Sequence, residues 1–69
     1  MAKVFLNGDK VEVDEDMSLL RLIESNRLRP EHIVVEVNRK IIPRNEFSSL
    51  NLNEGDEIEI VHMVGGGSL

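Results

Sequence analysis

Sixty-nine residues allow a single domain, and folding a chain of this size removes only about 60% of its extended surface from water, which leaves little room for an enzyme cleft. The formal charge of −5 comes with eight scattered basic residues, which excludes a phosphate-neutralising nucleic-acid surface and favours a partner with a basic face; two phenylalanines are too few for a base-stacking platform. With no cysteine there is no disulfide, no thiolate ligand and no thiol nucleophile, and the start MAKVFLNGDK lacks the apolar core of a signal peptide. No apolar run approaches the ~20 residues of a membrane span, so a cytoplasmic chain without a membrane partner is expected.

Val4 and Leu6 alternate with Phe5, and Val11 and Val13 alternate with Lys10 and Glu12. With Asn7-Gly8-Asp9 between them, these runs predict a β-hairpin. After the acidic run Asp14-Glu15-Asp16, Ser18 is placed to cap a helix whose Leu19, Leu22 and Ile23 fall on one face. The acidic run is expected at the helix entrance, where negative charge is favoured, and Pro30 ends the helix by about Leu28. In the following IVVEVN segment Ile33, Val35 and Val37 share one strand face, while Val34 and Glu36 share the other.

Arg39-Lys40 is read as a turn into a short Ile41-Ile42 segment closed by Pro43. Arg44 to Leu52 is weakly patterned, with a helical turn around Phe47 and Leu50. Asn53-Glu54-Gly55-Asp56 is a turn into a last strand, EIEIVHMV, in which Ile58 and Ile60 take the core face. The order ββαβ(β)β predicts an α+β domain over residues 1–64, with one main helix on one face of a mixed sheet of four to five strands.

Residues 65–69 form a separate tail. Gly65, Gly66 and Gly67 contribute nothing to a core and carry maximal backbone freedom, so they are either a slack end or the working part. A flexible linker or cloning remnant has the same composition. His62 and His32 read as surface histidines, Asp14-Glu15-Asp16 as a solvated run with too few converging oxygens for a metal, and Lys40 as a solvated turn residue. No catalytic constellation and no bound cofactor is expected.

Three segments carry a resemblance. VNRKIIPR, LNEGDEIEIVHMV and VGGG resemble the corresponding segments of the ThiS/MoaD-like sulfur carriers, a ubiquitin-like family with the β-grasp fold, and the likeness covers nearly the whole chain. It is closest to the thiamine-pathway members, because Val61-His62-Met63-Val64 lacks the proline frequent before the glycines of the molybdopterin-synthase subunits. The resemblance implies that the chain is not an enzyme but a protein co-substrate, a monomer on its own. Its C-terminal glycine carboxylate, Gly67 or alternatively Gly66, would be adenylated with ATP by a ThiF-like partner. A sulfur donor such as a cysteine desulfurase would then convert it to a thiocarboxylate, and a ThiG-like thiazole synthase would take the sulfur. Ser68-Leu69 departs from the family's usual end and implies a processing protease. A carrier for molybdopterin or another sulfur-containing metabolite, and an interaction module without sulfur chemistry, are the alternatives.

The same fold order would place the last strand between the first strand and IVVEVN. Phe5, Val34, Val61 and Met63 would then share the outer face as a small apolar docking patch rimmed by Glu36, Glu57 and Glu59.

Overall fold

The computed structural model describes residues 1–63. Val64, where the domain was expected to end, and the glycine tail with Ser68-Leu69 lie outside the described residues. Five strands, β1 (Ala2–Leu6), β2 (Asp9–Val13), β3 (Ile33–Val37), β4 (Lys40–Ile42) and β5 (Glu57–His62), form one mixed sheet in the order β2-β1-β5-β3-β4. One helix, α1 (Leu19–Ser25), packs its Leu19, Leu22 and Ile23 against one face of the sheet. This is the β-grasp arrangement.

The turns explain the strand pairing. Asn7 and Gly8 have φ of 50° and 89°, the two positive values that a type I′ turn demands, and they join β1 to β2 with Leu6 opposite Asp9. Asn38 and Arg39, at φ 52° and 71°, do the same between β3 and β4, with Val37 opposite Lys40. This corrects the expected Arg39-Lys40 turn. Asn-Arg is a weak turn signature on its own, and Asn38 is held by residues far along the chain: its N–H donates to Glu57 O at 2.8 Å, its Oδ1 accepts from Glu57 N at 3.0 Å, and its Nδ2 donates to Asp56 Oδ1 at 3.0 Å.

Helix α1 has only seven residues, too short to persist alone, and its ends are closed almost completely. At the start, Leu19 N–H donates to Leu50 O at 2.8 Å and Leu20 N–H to Phe47 O at 2.9 Å, while Arg21 N–H donates to the Ser18 hydroxyl at 3.1 Å. The segment after the 3₁₀ turn Arg44–Glu46 thus serves as a cap made of backbone carbonyls, anchored by buried Phe47 and Leu52. The helix ends at Ser25, three residues before the expected limit. Arg27 N–H reaches Glu24 O at 2.9 Å and Leu28 N–H reaches Ile23 O at 3.1 Å, a Schellman closure with Arg27 at φ 61° where glycine is usual.

The acidic run does not enter the helix, whose first turn holds no acidic residue. Met17 N–H donates to Asp14 O at 3.1 Å and Asp16 takes φ 63°, so the run forms its own turn; Leu52 N–H then pairs with Met17 O at 2.8 Å and holds that approach extended.

Val4, Leu19, Ile23, Val35 and Ile58 are the most completely buried side chains, and among the described residues no polar side chain is buried. The interior is therefore held by apolar burial alone, while its boundaries are held by backbone hydrogen bonds. Among the described residues no helix is long and apolar enough to cross a membrane.

A non-glycine residue in left-handed backbone costs roughly 1 kcal/mol, and among the described residues the exposed Arg39 side chain makes no hydrogen bond or ion pair that offsets it, so Arg39→Gly is expected to stabilise the fold by up to about 1 kcal/mol. For a domain of this size that is a rise of about 4–8 °C in the thermal midpoint, readable by circular dichroism; a fall would show that the Arg39 side chain contributes more than its backbone costs.

Candidate functional site

The tail leaves the domain from β5, so β5 and its neighbours define the ground around it. β5 lies between β1, which it pairs in parallel with Phe5 opposite Glu57 and Leu6 opposite Ile58, and β3, which it pairs antiparallel from Val37–Ile58 to Ile33–His62. Alternation then sorts its side chains. Ile58 and Ile60 are buried against the helix, whereas Glu57, Glu59 and Val61 point to the uncovered outer face.

The structure places Phe5 and Val61 on that outer face, at 36% and 61% exposure, and Val34 beside Val61 as its direct cross-strand partner, half-buried. Met63 lies one residue past the end of β5, which stops at His62 and not at Val64; it is 49% exposed and tied to the sheet by its N–H donating to His32 O at 3.0 Å. The strand stops because β3 begins only at Ile33, leaving one further bond at His32.

Phe5 is separated from the other three. It sits level with Glu57, four residues back from Val61, or about 13 Å along the strand. Glu57 and Glu59, expected as a rim, lie between. The outer face therefore holds an apolar group around Val34 and Val61, then carboxylates, then Phe5. Sequence reasoning missed Ile41, which is 67% exposed and stands opposite Glu36 on the same face. Reading the turn at Asn38-Arg39 would have supplied the register that reveals it.

The carboxylates are closely arranged. Glu36 and Glu59 are direct cross-strand partners, and like charges facing each other destabilise a sheet. A shallow hollow of about 260 Å³ is lined by Glu36, Arg39, Glu57 and Glu59, and another of about 250 Å³ by Phe5, Gly8, Glu57 and Glu59. Among the described residues no ion pair joins Arg39 to these carboxylates, and no cluster of three His, Cys, Asp or Glu gathers in a metal-holding arrangement. The face is thus acidic with apolar islands, which suits a basic protein surface.

Asn7, also missed in the sequence, ties the hairpin turn to β5. Its Oδ1 accepts from Ile60 N at 2.8 Å and its Nδ2 donates to Ile60 O at 3.4 Å, so the side chain imitates one more residue of strand. His62 follows the phase of Ile58 and Ile60 and is exposed at the sheet's end, across from Ile33; His32 is exposed in the 3₁₀ turn Pro30–His32. Gly65, Gly66 and Gly67 lie outside the described residues.

The model of the ThiS family matches residues 3–67, a span that includes all three tail glycines. The chain is 38% identical over 63 residues to the sulfur carrier protein ThiS of Bacillus subtilis, covering 90% of this chain and 96% of that protein. It is 34% identical over 65 residues to a thiazole synthase of Magnetococcus marinus, covering 94% of this chain; the chain spans only 20% of that protein's length. Among solved structures it superposes on the crystal structure of the thiamine biosynthesis protein ThiS of Geobacter metallireducens with a TM-score of 0.80 at 26% identity, covering 94% of this chain and 99% of that one. With a family match across nearly its whole length, a near full-length relative and a shared fold, the chain belongs to the ThiS family.

Proposed function

We propose that the chain carries sulfur on its C-terminal glycine carboxylate for thiazole formation in thiamine biosynthesis. The observation that carries this reading is the family match running through Gly67, joined to a near full-length Bacillus relative named as a sulfur carrier. The thiazole synthases of Magnetococcus marinus and Paramagnetospirillum magneticum each contain a stretch similar to this chain over a fifth of their length, which supports thiazole synthase as the enzyme that takes the sulfur.

The chemistry asks little of the domain itself. A carboxylate is a poor acyl donor, and an adenylating partner activates it by joining it to AMP from ATP with release of pyrophosphate. Sulfide-level sulfur from a donor, such as one fed by a cysteine desulfurase, then attacks the acyl carbon and expels AMP, leaving a thiocarboxylate. Nucleotide and catalytic groups belong to the partners, and this chain supplies a reach: the four residues from Val64 to Gly67 span about 13 Å when extended. Gly65, Gly66 and Gly67 can lie against the walls of a narrow site without a Cβ in the way.

In the sequence as it stands Gly67 is joined to Ser68 by an amide, which cannot be adenylated. Activation therefore requires removal of Ser68-Leu69 by a processing protease, with cleavage after Gly67 in preference to Gly66. Phe5, Val34, Val61 and Met63 supply apolar contacts for the adenylating partner. Glu36, Glu57 and Glu59 supply charge that steers it, at a small cost in stability.

Incubated with the adenylating enzyme, ATP and a sulfur donor, the chain ending at Gly67 should gain the mass of one sulfur in place of one oxygen, and the chain retaining Ser68-Leu69 should not. Sulfur gained by the uncleaved chain, or by neither, would refute the mechanism. Met63→Glu should fold normally and bind the adenylating enzyme at least tenfold more weakly by calorimetry; full affinity would remove Met63 from the contact. Glu59→Gln should raise stability by a few tenths of a kcal/mol by relieving the Glu36 repulsion, and should slow association most at low salt. An association rate that does not change with salt would show that these carboxylates do no steering.

A further inference from the structure

The backbone groups of β5 face its two neighbours in alternation, as antiparallel and parallel ladders require. The odd-numbered residues face β3: Asn38 N–H donates to Glu57 O at 2.8 Å, and Met63 N–H donates to His32 O at 3.0 Å, both in the register of the β3–β5 pair. The even-numbered residues face β1: Asn7 N–H donates to Ile58 O at 2.8 Å, and the Asn7 side chain takes both the N–H and the C=O of Ile60. His62 is the next even-numbered residue. By the same alternation its N–H and C=O point into the lane that β1 vacates at Asn7-Gly8, and among the described residues nothing pairs with them.

A strand carrying a paired edge on one side and an open edge on the other is a template for a further strand. Here the opening is short and its start is fixed, because Asn7 closes the lane as far as Ile60. We propose that the open edge at His62 receives an extended strand of the adenylating partner, laid in the lane of β1, so that the sheet continues across the interface at the root of the tail. The side chains beside that lane state the strand's chemistry. Val61, on the outer face at 61% exposure, and Met63, next in the same phase at 49%, call for apolar neighbours, while Glu59 stands diagonally behind them where Asn7 already fills the lane. The occupant is thus an extended segment of the partner with two apolar residues two positions apart on one face of the added strand, drawn in by a basic surface that complements Glu57 and Glu59.

The sulfur-carrier reading enters only in naming which enzyme supplies the strand. The open edge itself follows from the hydrogen-bond register. Asn7 and His62 then have complementary parts: one ends the intramolecular sheet, the other begins the intermolecular one.

The test compares two variants of the full domain against the adenylating enzyme. His62→Ala removes the imidazole but keeps the N–H; His62→Pro removes the N–H as well, at a position where no described residue uses it. His62→Pro should bind at least tenfold more weakly than His62→Ala, and equal affinities would overturn the proposal. Because proline also fixes φ, a second reading is taken on the unaltered chain: the His62 amide should exchange with deuterium at least tenfold more slowly in the complex than in the free chain. An amide unslowed in the complex would overturn the added strand. Slowing that appears in the free chain as its own concentration rises would assign the edge to a second copy and overturn the partner. A chain that binds the adenylating enzyme but never acquires sulfur would refute the carrier reading while leaving the strand intact.

Discussion

The parallel pairing of β1 with β5 is the constraint on which the rest of the structure depends. It brings residues 5 and 6 beside 57 and 58, so nearly the whole chain must be looped out before it forms. The entropy of that closure is offset around the same contact. Phe5 N–H donates to Asp56 O at 2.8 Å, Gly55 N–H to Lys3 O at 2.7 Å, and Lys3 N–H to the Glu54 carboxylate at 2.9 Å. The left-handed turn at Gly55, with φ 86°, aims those groups at β1. Once the first and last strands are joined, the two hairpins hang from them at either side and the helix covers the inner face. The last strand is thereby set in the middle of the sheet, with β1 on one side and β3 on the other.

That placement accounts for the unequal treatment of the two sheet faces. The inner face is aliphatic, with no buried polar side chain to satisfy among the described residues. The outer face sets Glu36 against Glu59, leaves Val61 and Ile41 open to water, and separates Phe5 from the other apolar residues. None of these choices helps the isolated domain fold. Each becomes favourable when a basic, partly apolar surface covers the face.

Much of this was legible in the sequence, and the failures share a cause. Asn7-Gly8, Ser18 before Leu19, and the alternation in Ile33–Val37 each state their local structure through the residue types themselves. The Asn38-Arg39 turn does not, because its backbone is fixed by Asp56 and Glu57 from the far end of the chain. The caps on Leu19 and Leu20 come from the carbonyls of Leu50 and Phe47, and carbonyls carry no residue signature. For the same reason the apolar composition of the outer face was readable but its division was not: whether Phe5 lies beside Val61 or two rows away depends on the parallel register, which no side-chain pattern encodes. The role expected of the glycines rests on family resemblance and not on geometry.

The parallel arrangement also decides how the domain bears a load. A pull on the tail against an N-terminus held in place runs along β1 and β5 in opposite senses, so their hydrogen bonds are strained together in shear and are not opened one at a time from an end. Forced unfolding is governed by the rate of crossing that barrier and not by equilibrium stability. Tension applied at the end of β5 is thus borne by the whole β1–β5 ladder at once, and the domain resists it without unravelling from an end.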